Sequence, residues 1–338
     1  MIPASDLSWQ SDDWRQLLAE AVTDPAELLR LVGLADHPLA ATIDAANPFP
    51  VRVPQPLLAR IERGRADDPI LRQVLAIGAE RATVPGYDDD PLQEAAHNPA
   101  PGLLHKYRGR ALLIVTGACA VHCRYCFRRQ FPYADNNPGR RGLDAALGHI
   151  AADPDLREVI LSGGDPLLQD DDALDALLTR LEAIPTLERL RIHTRFPIVI
   201  PQRITSRLVE RLAGGRLKTV FVLHANHARE LDGGVADALD RLRDARIPLL
   251  NQAVLLRGVN DDLAALMALS ERLFDLGVMP YYLHLLDRVA GAAHFEVPEG
   301  EARELYDRFA ASTSGYLVPR LVRETAGAPG KHWLPPRW

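Results

Sequence analysis

Short apolar segments alternate with amphipathic helical segments along most of this chain, and this alternation limits the possible folds more than any other feature. Segments rich in β-branched or apolar residues recur at 111–117, 158–164, 189–194, 218–224, 248–255 and 279–286. Apolar residues at helical spacing lie between them, as in 171–184 and 261–277. Because apolar strands that alternate with helices form parallel sheets covered by helices, the pattern predicts an α/β fold.

Polar residues stand at the end of each predicted strand. In chain order these strand ends carry the three cysteines, Ser162 to Asp165, His193 to Arg195, His224 to Asn226, Gln252, and His284 to Asp287. In parallel α/β barrels the active site forms where the carboxyl ends of the strands meet. We therefore predict a partial (βα)6 TIM-like barrel with one site at its top face.

The first part of the chain follows a different pattern. Three helical segments there begin with an Asp suited to capping, near Asp13, Asp24 and Asp68. The segment 84–102 is rich in Pro, Gly and Asp, which is typical of a linker. We predict three units, which are an N-terminal helical region, the barrel, and a C-terminal segment, at 1–95, 96–315 and 316–338.

Composition limits the partners. The formal net charge is −6 and the pI is about 6.0, so the chain lacks the overall basic balance that favours nucleic acid. The first residues have no basic and apolar regions of a secretory signal, and apolar runs such as 111–115 are too short to span a bilayer. These features predict a cytoplasmic protein with neither a membrane nor a nucleic-acid partner.

The cysteines occur in a single cluster, Cys119, Cys123 and Cys126. A disulfide would leave one thiol unpaired. A structural zinc ion needs four protein ligands, for which His122 is the nearby candidate. Thiolates also hold iron–sulfur clusters, usually four to a cubane, so that three would leave one iron open to another ligand.

The C-x3-C-x2-C spacing, with Tyr125 before the last cysteine, resembles the radical S-adenosylmethionine (SAM) superfamily. The resemblance implies a [4Fe-4S] cluster on Cys119, Cys123 and Cys126, whose fourth iron binds SAM and whose electron cleaves it to a 5′-deoxyadenosyl radical. The stretch after the second strand resembles the segment that holds the methionine end of SAM. The predicted SAM contacts are Tyr125, Ser162, Gly163, Gly164, Asp165, His224 and Gln252.

A narrower resemblance covers residues from about 100 to 335. The sequences "CRYCFRRQFPY", "ILSGGDPLL", "FPIVIPQRIT", "NQAVLLRGVND", "PYYLHLLD" and "GAPGKHWLP" occur in one order and together resemble the lysine 2,3-aminomutase family. The family resemblance implies a pyridoxal 5′-phosphate (PLP)-dependent isomerase that converts L-lysine to β-lysine with an external electron donor. The chain is most similar to the branch that supplies β-lysine for modification of elongation factor P by its ligase, and it lacks the cysteine-bearing extension of longer relatives.

PLP is held covalently by a lysine, and this chain has three. Lys218 opens a strand and should lie at the bottom of the barrel. The resemblance implies that Lys331, in a C-terminal Gly/Pro loop, is the catalytic PLP lysine. Lys106, Tyr107 and Arg110 are the family matches that hold the phosphate and ring.

The resemblance also implies a set of substrate contacts. Arginine binds carboxylates through two parallel hydrogen bonds, and Arg128 is the family match for the substrate carboxylate. Asp287 matches an aspartate that binds the distant ammonium group, and Glu324 stands where the family has a second aspartate. The alternatives are an aminomutase for another amino acid such as glutamate, a radical SAM enzyme that modifies RNA, and a metal-stabilised binding module without activity.

Overall fold

A nine-stranded sheet forms the centre of the computed structural model, which describes residues 13–134, 136 and 139–337. Strands that are neighbours in the chain are neighbours in the sheet. The strands are β1 Leu103–Tyr107, β2 Arg110–Thr116, β3 Glu158–Gly163, β4 Arg189–Thr194, β5 Lys218–Leu223, β6 Leu249–Val254, β7 Met279–His284, β8 Arg320–Arg323 and β9 His332–Trp333.

The strands β2 to β8 run parallel, whereas β1 and β9 are antiparallel to their neighbours at the two edges. Within the described residues β1 and β9 do not pair with each other, so the barrel stays open between them. The predicted α/β partial barrel is confirmed, and its six predicted strands correspond to β2 through β7. The strands β1, β8 and β9 are short and lack a clear apolar alternation, so the sequence pattern does not predict them.

Helices pack against the sheet and against one another. The helices are α1 Trp14–Ala19, α2 Pro25–Leu31, α3 Gln55–Leu58, α4 Pro69–Val74, α5 Gly139–Ala152, α6 Asp171–Glu182, α7 Phe196–Val199, α8 Ser206–Gly214, α9 Gly233–Asp244, α10 Leu263–Asp275 and α11 Glu299–Ser312. Short 3-10 helices lie at Pro38–Thr42, Gly78–Arg81, Glu94–His97, Pro166–Leu168, Pro201–Arg203, Ala228–Glu230, Ala293–Phe295 and Gly315–Leu317.

The capping aspartates and the amphipathic stretches identified in the sequence belong to helices, as predicted. Asp13, Asp24 and Asp68 cap α1, α2 and α4, since each side chain accepts a hydrogen bond from a backbone N–H of the first turn. The amphipathic stretches 171–184 and 261–277 form α6 and α10, and both bury a row of leucines against the sheet.

The N-terminal helices pack on the barrel. A single cluster of buried apolar residues extends from Trp14 to Leu334, and the ring edge of Trp14 contacts Phe196 with centroids 5.7 Å apart. The segment 84–102 contains one 3-10 helix and runs beside residues 288–290, and its role as a linker stays a prediction. The three domain boundaries remain a prediction. In the described part of the chain, none of the helices combines the length and apolar character needed to cross a membrane.

Candidate functional site

One cavity of about 400 Å³ lies at the carboxyl ends of the parallel strands. Every site residue predicted from the sequence lines it. We call the part formed by Cys119, Cys123 and Cys126 the cysteine end. The part formed by Lys106, Tyr107, Glu324 and Lys331 is the lysine end.

The three cysteines lie in an irregular loop, residues 117–134, between β2 and α5. All three are free thiols, so the disulfide alternative is not realised. His122 does not join them as a fourth zinc ligand, because it does not line the cavity onto which the three cysteines open; its ring stacks on Phe49 instead. No three metal-binding side chains among the described residues converge on a single ion. Thiolates on one cavity wall fit a multi-iron cluster instead, in which separate irons take separate ligands.

Arg195 connects the cysteine loop to the barrel and was not assigned a role from the sequence. Its Nη1 donates to Cys123 Sγ at 2.7 Å, and its Nη2 donates to Gln73 at 2.8 Å and to the buried carboxylate of Glu230 at 2.7 Å. Its position at the end of β4 was the available signal, because strand-end polar residues gather at this site. Arg195 thus brings a fixed positive charge to the thiol of Cys123.

Gly163 and Gly164 allow the strand end to meet the cysteine loop. A Cβ on Gly164 would lie 2.1 Å from the Ala118 carbonyl oxygen, and one on Gly163 would lie 2.5 Å from that of Thr116. Gly163 also has φ +119, a conformation that favours glycine. The two glycines are therefore required by contact between backbones, and their contact with SAM remains a prediction.

Asp165 joins two strand ends from a buried position. Its carboxylate accepts hydrogen bonds from the Thr194 hydroxyl and from the backbone N–H groups of Arg195 and Leu167. Burial raises the pKa of Asp165 to about 6 despite these bonds. The side chain already serves this structural role, and a direct contact with SAM stays a prediction.

Two histidine nitrogens on the cavity wall are free to form hydrogen bonds with a ligand. His193 Nε2 and His284 Nε2 are buried and have no hydrogen-bond partner among the described residues. His193 lies beside the predicted SAM residues, since Gln252 Nε2 is 3.5 Å from its Nδ1 and its ring lies against His224. Burial lowers the pKa of His224 to about 3 and keeps it neutral. A polar ligand in the cavity would satisfy both orphaned nitrogens, so the donor set fits a molecule such as SAM or PLP.

Side chains from near the two edges of the open sheet contact one another at the lysine end, although within the described residues the edge strands themselves do not pair. Glu324 follows β8, and its Oε2 lies 2.5 Å from Lys331 Nζ, just before β9. Its Oε1 accepts from the Tyr107 hydroxyl at 3.0 Å and lies 3.5 Å from Lys106 Nζ, both on β1. The Arg110 guanidinium stacks 4.4 Å from the Tyr107 ring centroid. These residues bring cations and a phenol together at the lysine end, a set of groups that fits a phosphate-bearing ligand, and their contact with PLP remains a prediction. Lys218, in contrast, is exposed at the start of β5, as predicted.

The two carboxylates of this region have opposite pKa shifts. Burial raises the pKa of Glu324, but the charges of Lys331 and Lys106 outweigh it and lower the pKa to about 2. Burial and the nearby Glu324 charge raise the pKa of Asp287 to about 7. Within the described residues no ion pair or side-chain hydrogen bond holds the Asp287 carboxylate. Asp287 is therefore the group at this end that a cationic ligand would stabilise most.

Arg128 belongs to the cysteine loop and lines the cavity. Its Nε and Nη2 donate to the two carboxylate oxygens of Glu94 at 2.8 and 2.7 Å, and its Nη1 donates to Ser162 Oγ at 3.2 Å. Glu94 was missed by the sequence analysis, because it lies in the polar connecting segment and only the fold brings it to the cavity. This pairing fixes the orientation of the guanidinium.

Comparison with known proteins places the chain in one superfamily and one enzyme family. Residues 113–269 match the model of the radical SAM superfamily. The chain is 54% identical over 95% of its length to the L-lysine 2,3-aminomutase of Escherichia coli (strain K12), covering 94% of that protein. It is 46% identical to that of Haemophilus influenzae, with 98% of each chain covered. It is 34% identical to that of Clostridium subterminale, over 99% of this chain and 80% of the relative.

These relationships establish the cofactor set and the family. The radical SAM match implies a [4Fe-4S] cluster, SAM and an electron donor, and the aminomutase relatives imply a small-molecule substrate. The aminomutase relatives add PLP. With this identity and coverage, the chain belongs to the L-lysine 2,3-aminomutase family of the radical SAM superfamily.

Proposed function

We propose that this chain is an isomerase that moves the α-amino group of L-lysine to C3 and forms β-lysine. One observation carries the proposal, namely that the three cysteines and Lys331 open onto the same cavity. The names of the relatives support the same reaction. Because the C3 hydrogen of lysine is not acidic, moving the amino group requires radical chemistry as well as PLP.

At the cysteine end, Cys119, Cys123 and Cys126 would hold the [4Fe-4S] cluster. Three thiolates on a cubane leave one iron for SAM. The residues proposed to bind SAM are Tyr125, Ser162, Gly163, Gly164, Asp165, His224 and Gln252. Of these, Ser162 and Gln252 can offer polar groups to the ligand, while neutral His224 adds no repulsive charge.

At the lysine end, Lys331 would hold PLP, and Lys106, Tyr107 and Arg110 would hold its phosphate and ring. When bound, the cluster with SAM supplies a hydrogen-abstracting radical, and PLP supplies a π-system for the migrating nitrogen. The protein's own task is to orient the substrate and to exclude water. The cavity walls, formed by residues at the strand ends, by the cysteine loop and by Glu94, support that task.

Substrate recognition would divide between three side chains. Arg128 would bind the lysine carboxylate, with Glu94 fixing the orientation of the guanidinium. Asp287 would accept the distant ammonium group, since its carboxylate has no partner among the described residues. Glu324 is proposed as a second contact for that ammonium, although its short distance to Lys331 also supports a role as the partner of the PLP lysine.

The deciding experiment is an anaerobic assay with reductant, SAM and PLP, in which lysine and glutamate are compared as substrates. We expect β-lysine from lysine and no β-isomer from glutamate. A β-isomer of glutamate alone would favour the alternative aminomutase. SAM cleavage without conversion of either amino acid, together with modification of added RNA, would favour an RNA-modifying enzyme.

We also propose that the β-lysine supplies a ligase that modifies elongation factor P. The support is the greater identity to the Escherichia coli and Haemophilus influenzae proteins than to the Clostridium subterminale protein. The test is to couple the reaction to purified elongation factor P and its ligase, and to look by mass spectrometry for the β-lysyl adduct. An unmodified factor despite β-lysine production would remove this link.

A further inference from the structure

A buried ion-pair network lies behind the cysteine loop, on the side away from the cavity. Glu80, from the 3-10 helix Gly78–Arg81 of the N-terminal region, has a side chain that is 1% exposed. Its Oε1 accepts from Arg124 Nε at 2.8 Å, and its Oε2 accepts from Arg124 Nη2 and Arg129 Nη2, both at 2.5 Å. One carboxylate thus binds two arginines of the cysteine loop.

Both arginines lie next to the predicted iron ligands in the sequence. Arg124 stands between Cys123 and Cys126, and Arg129 follows three residues after Cys126. Cys123 and Cys126 line the cavity, whereas Arg124 and Arg129 do not. The thiols of Cys123 and Cys126 therefore face the cavity, whereas the guanidiniums of Arg124 and Arg129 face Glu80 of the N-terminal region.

The network also closes the turn on itself. Arg129 Nη1 donates to the Arg124 carbonyl at 3.0 Å, and Arg124 Nη1 donates to the Phe49 carbonyl at 2.8 Å. The Arg124 backbone N–H donates to the Gln73 carbonyl at 2.9 Å. Because the loop has neither helix nor strand, such outside contacts are what fix its backbone.

Both ion pairs of Glu80 are buried, so the loss of one partner would destabilise the loop. A buried charge that loses its partner is strongly unfavourable, so two buried arginines require the one carboxylate between them. An irregular loop left without these contacts would sample many conformations, and its thiols would then need ordering before they could share one cluster. The N-terminal region performs this ordering in advance.

We propose that Glu80 is a positioning residue for the iron–sulfur site, through which the N-terminal region holds Cys123 and Cys126 in place before iron binds. The inference rests on the proposed function, in which these cysteines are the cluster ligands. It gives the N-terminal region, whose sequence carries no chemistry of its own, a part in cluster assembly.

The test compares Glu80→Gln with Glu62→Gln in the full chain. Glu62 is a control for contact between the two regions, because it joins the N-terminal region to the barrel through Arg229 at 2.5 Å without touching the cysteine loop; its side chain is 46% exposed, so circular dichroism must show that both variants are folded. The first readout is the alkylation rate of each cysteine in iron-free protein, measured by mass spectrometry, with circular dichroism to check folding. The second is iron per chain after anaerobic reconstitution with ferrous iron and sulfide.

We expect Cys123 and Cys126 of Glu80→Gln to be alkylated about tenfold faster than in the wild type and in Glu62→Gln, because the loop opens more often. Iron should fall below the roughly four per chain that a cubane requires. A folded Glu80→Gln protein with wild-type alkylation rates and iron content would overturn the inference.

If Glu80→Gln fails to fold, Arg129→Gln decides the matter, because it leaves the Glu80–Arg124 pair intact. A faster alkylation of Cys126 supports the inference, and an unchanged rate overturns it. The proposed function has a separate outcome, since it fails if the wild-type chain binds no iron. The alkylation rates of iron-free protein are informative in either case.

Discussion

The two ends of the cavity use charge in opposite ways. At the cysteine end, Glu80 binds Arg124 and Arg129 behind the loop, out of contact with the cavity. At the lysine end the paired groups are themselves cavity-lining residues, since Glu324 contacts Lys331 and lies beside Lys106.

The two ends are therefore organised for ligand binding in different ways. The cysteine end presents its ligands on a scaffold whose charges are already satisfied. A ligand at the lysine end must exchange partners with an existing ion pair, because the binding groups neutralise one another. The first arrangement suits a cluster that stays bound, and the second suits groups that change partners during turnover.

The largest loss of function is expected from a change at the cysteine end. Cys126→Ala should lose the cluster and all cleavage of SAM, because a cubane retaining only two thiolates is poorly held. PLP binding at the lysine end should survive, which its visible absorbance reports. Iron analysis and detection of 5′-deoxyadenosine check the first part. Loss of PLP together with iron would show that the two ends are not independent.

The reciprocal change is Lys331→Ala. It should abolish lysine isomerisation and the absorbance of bound PLP, while the iron content stays at the wild-type value. Lys218→Ala is the matched control, since Lys218 is exposed at the start of β5 and should leave both unchanged. Normal turnover by Lys331→Ala would refute its assignment as the PLP lysine.

A change at Asp287 tests which carboxylate serves the substrate. Asp287→Asn should raise the KM for lysine by roughly 10- to 150-fold, because a hydrogen bond to a charged group contributes about 1.5–3 kcal/mol. Iron content and PLP absorbance should not change. Steady-state kinetics provide the measurement, and a KM equal to that of the wild type would remove Asp287 from substrate recognition.

The strand-end positions of the site could be predicted from the sequence, because they follow from local periodicity. Once 158–164 and 189–194 form parallel strands, Ser162 and Arg195 must arrive at the same edge of the sheet. The cysteine spacing and the capping aspartates are likewise local signals. None of these signals depends on contacts between residues far apart in the chain.

The charge pairs could not be predicted, because they join residues far apart in the chain. Arg128 meets Glu94 across 34 positions, Arg124 meets Glu80 across 44, and Lys106 meets Glu324 across 218. Nothing in the local sequence of Glu80 or Glu94 distinguishes them from solvated acids. The edge strands β1 and β9 were missed for the same reason, since they depend on pairing with strands already in place.

The smallest expected effect concerns pH. The pKa of Asp287 is raised to about 7 by burial and by the charge of Glu324, so its carboxyl is mostly neutral below pH 7 and ionised above it. An ionised carboxylate binds the lysine ammonium, so kcat/KM should rise with pH, by about tenfold between pH 6 and pH 8. Glu324, whose pKa is lowered to about 2, stays ionised throughout and adds no slope.

The pH profiles of kcat/KM for the wild type and for Asp287→Asn check this prediction, with the iron content measured at each pH. The slope should vanish in the variant. An equal slope in both proteins would assign the titration to another group, and the contrast between Asp287 and Glu324 would then have no part in substrate binding.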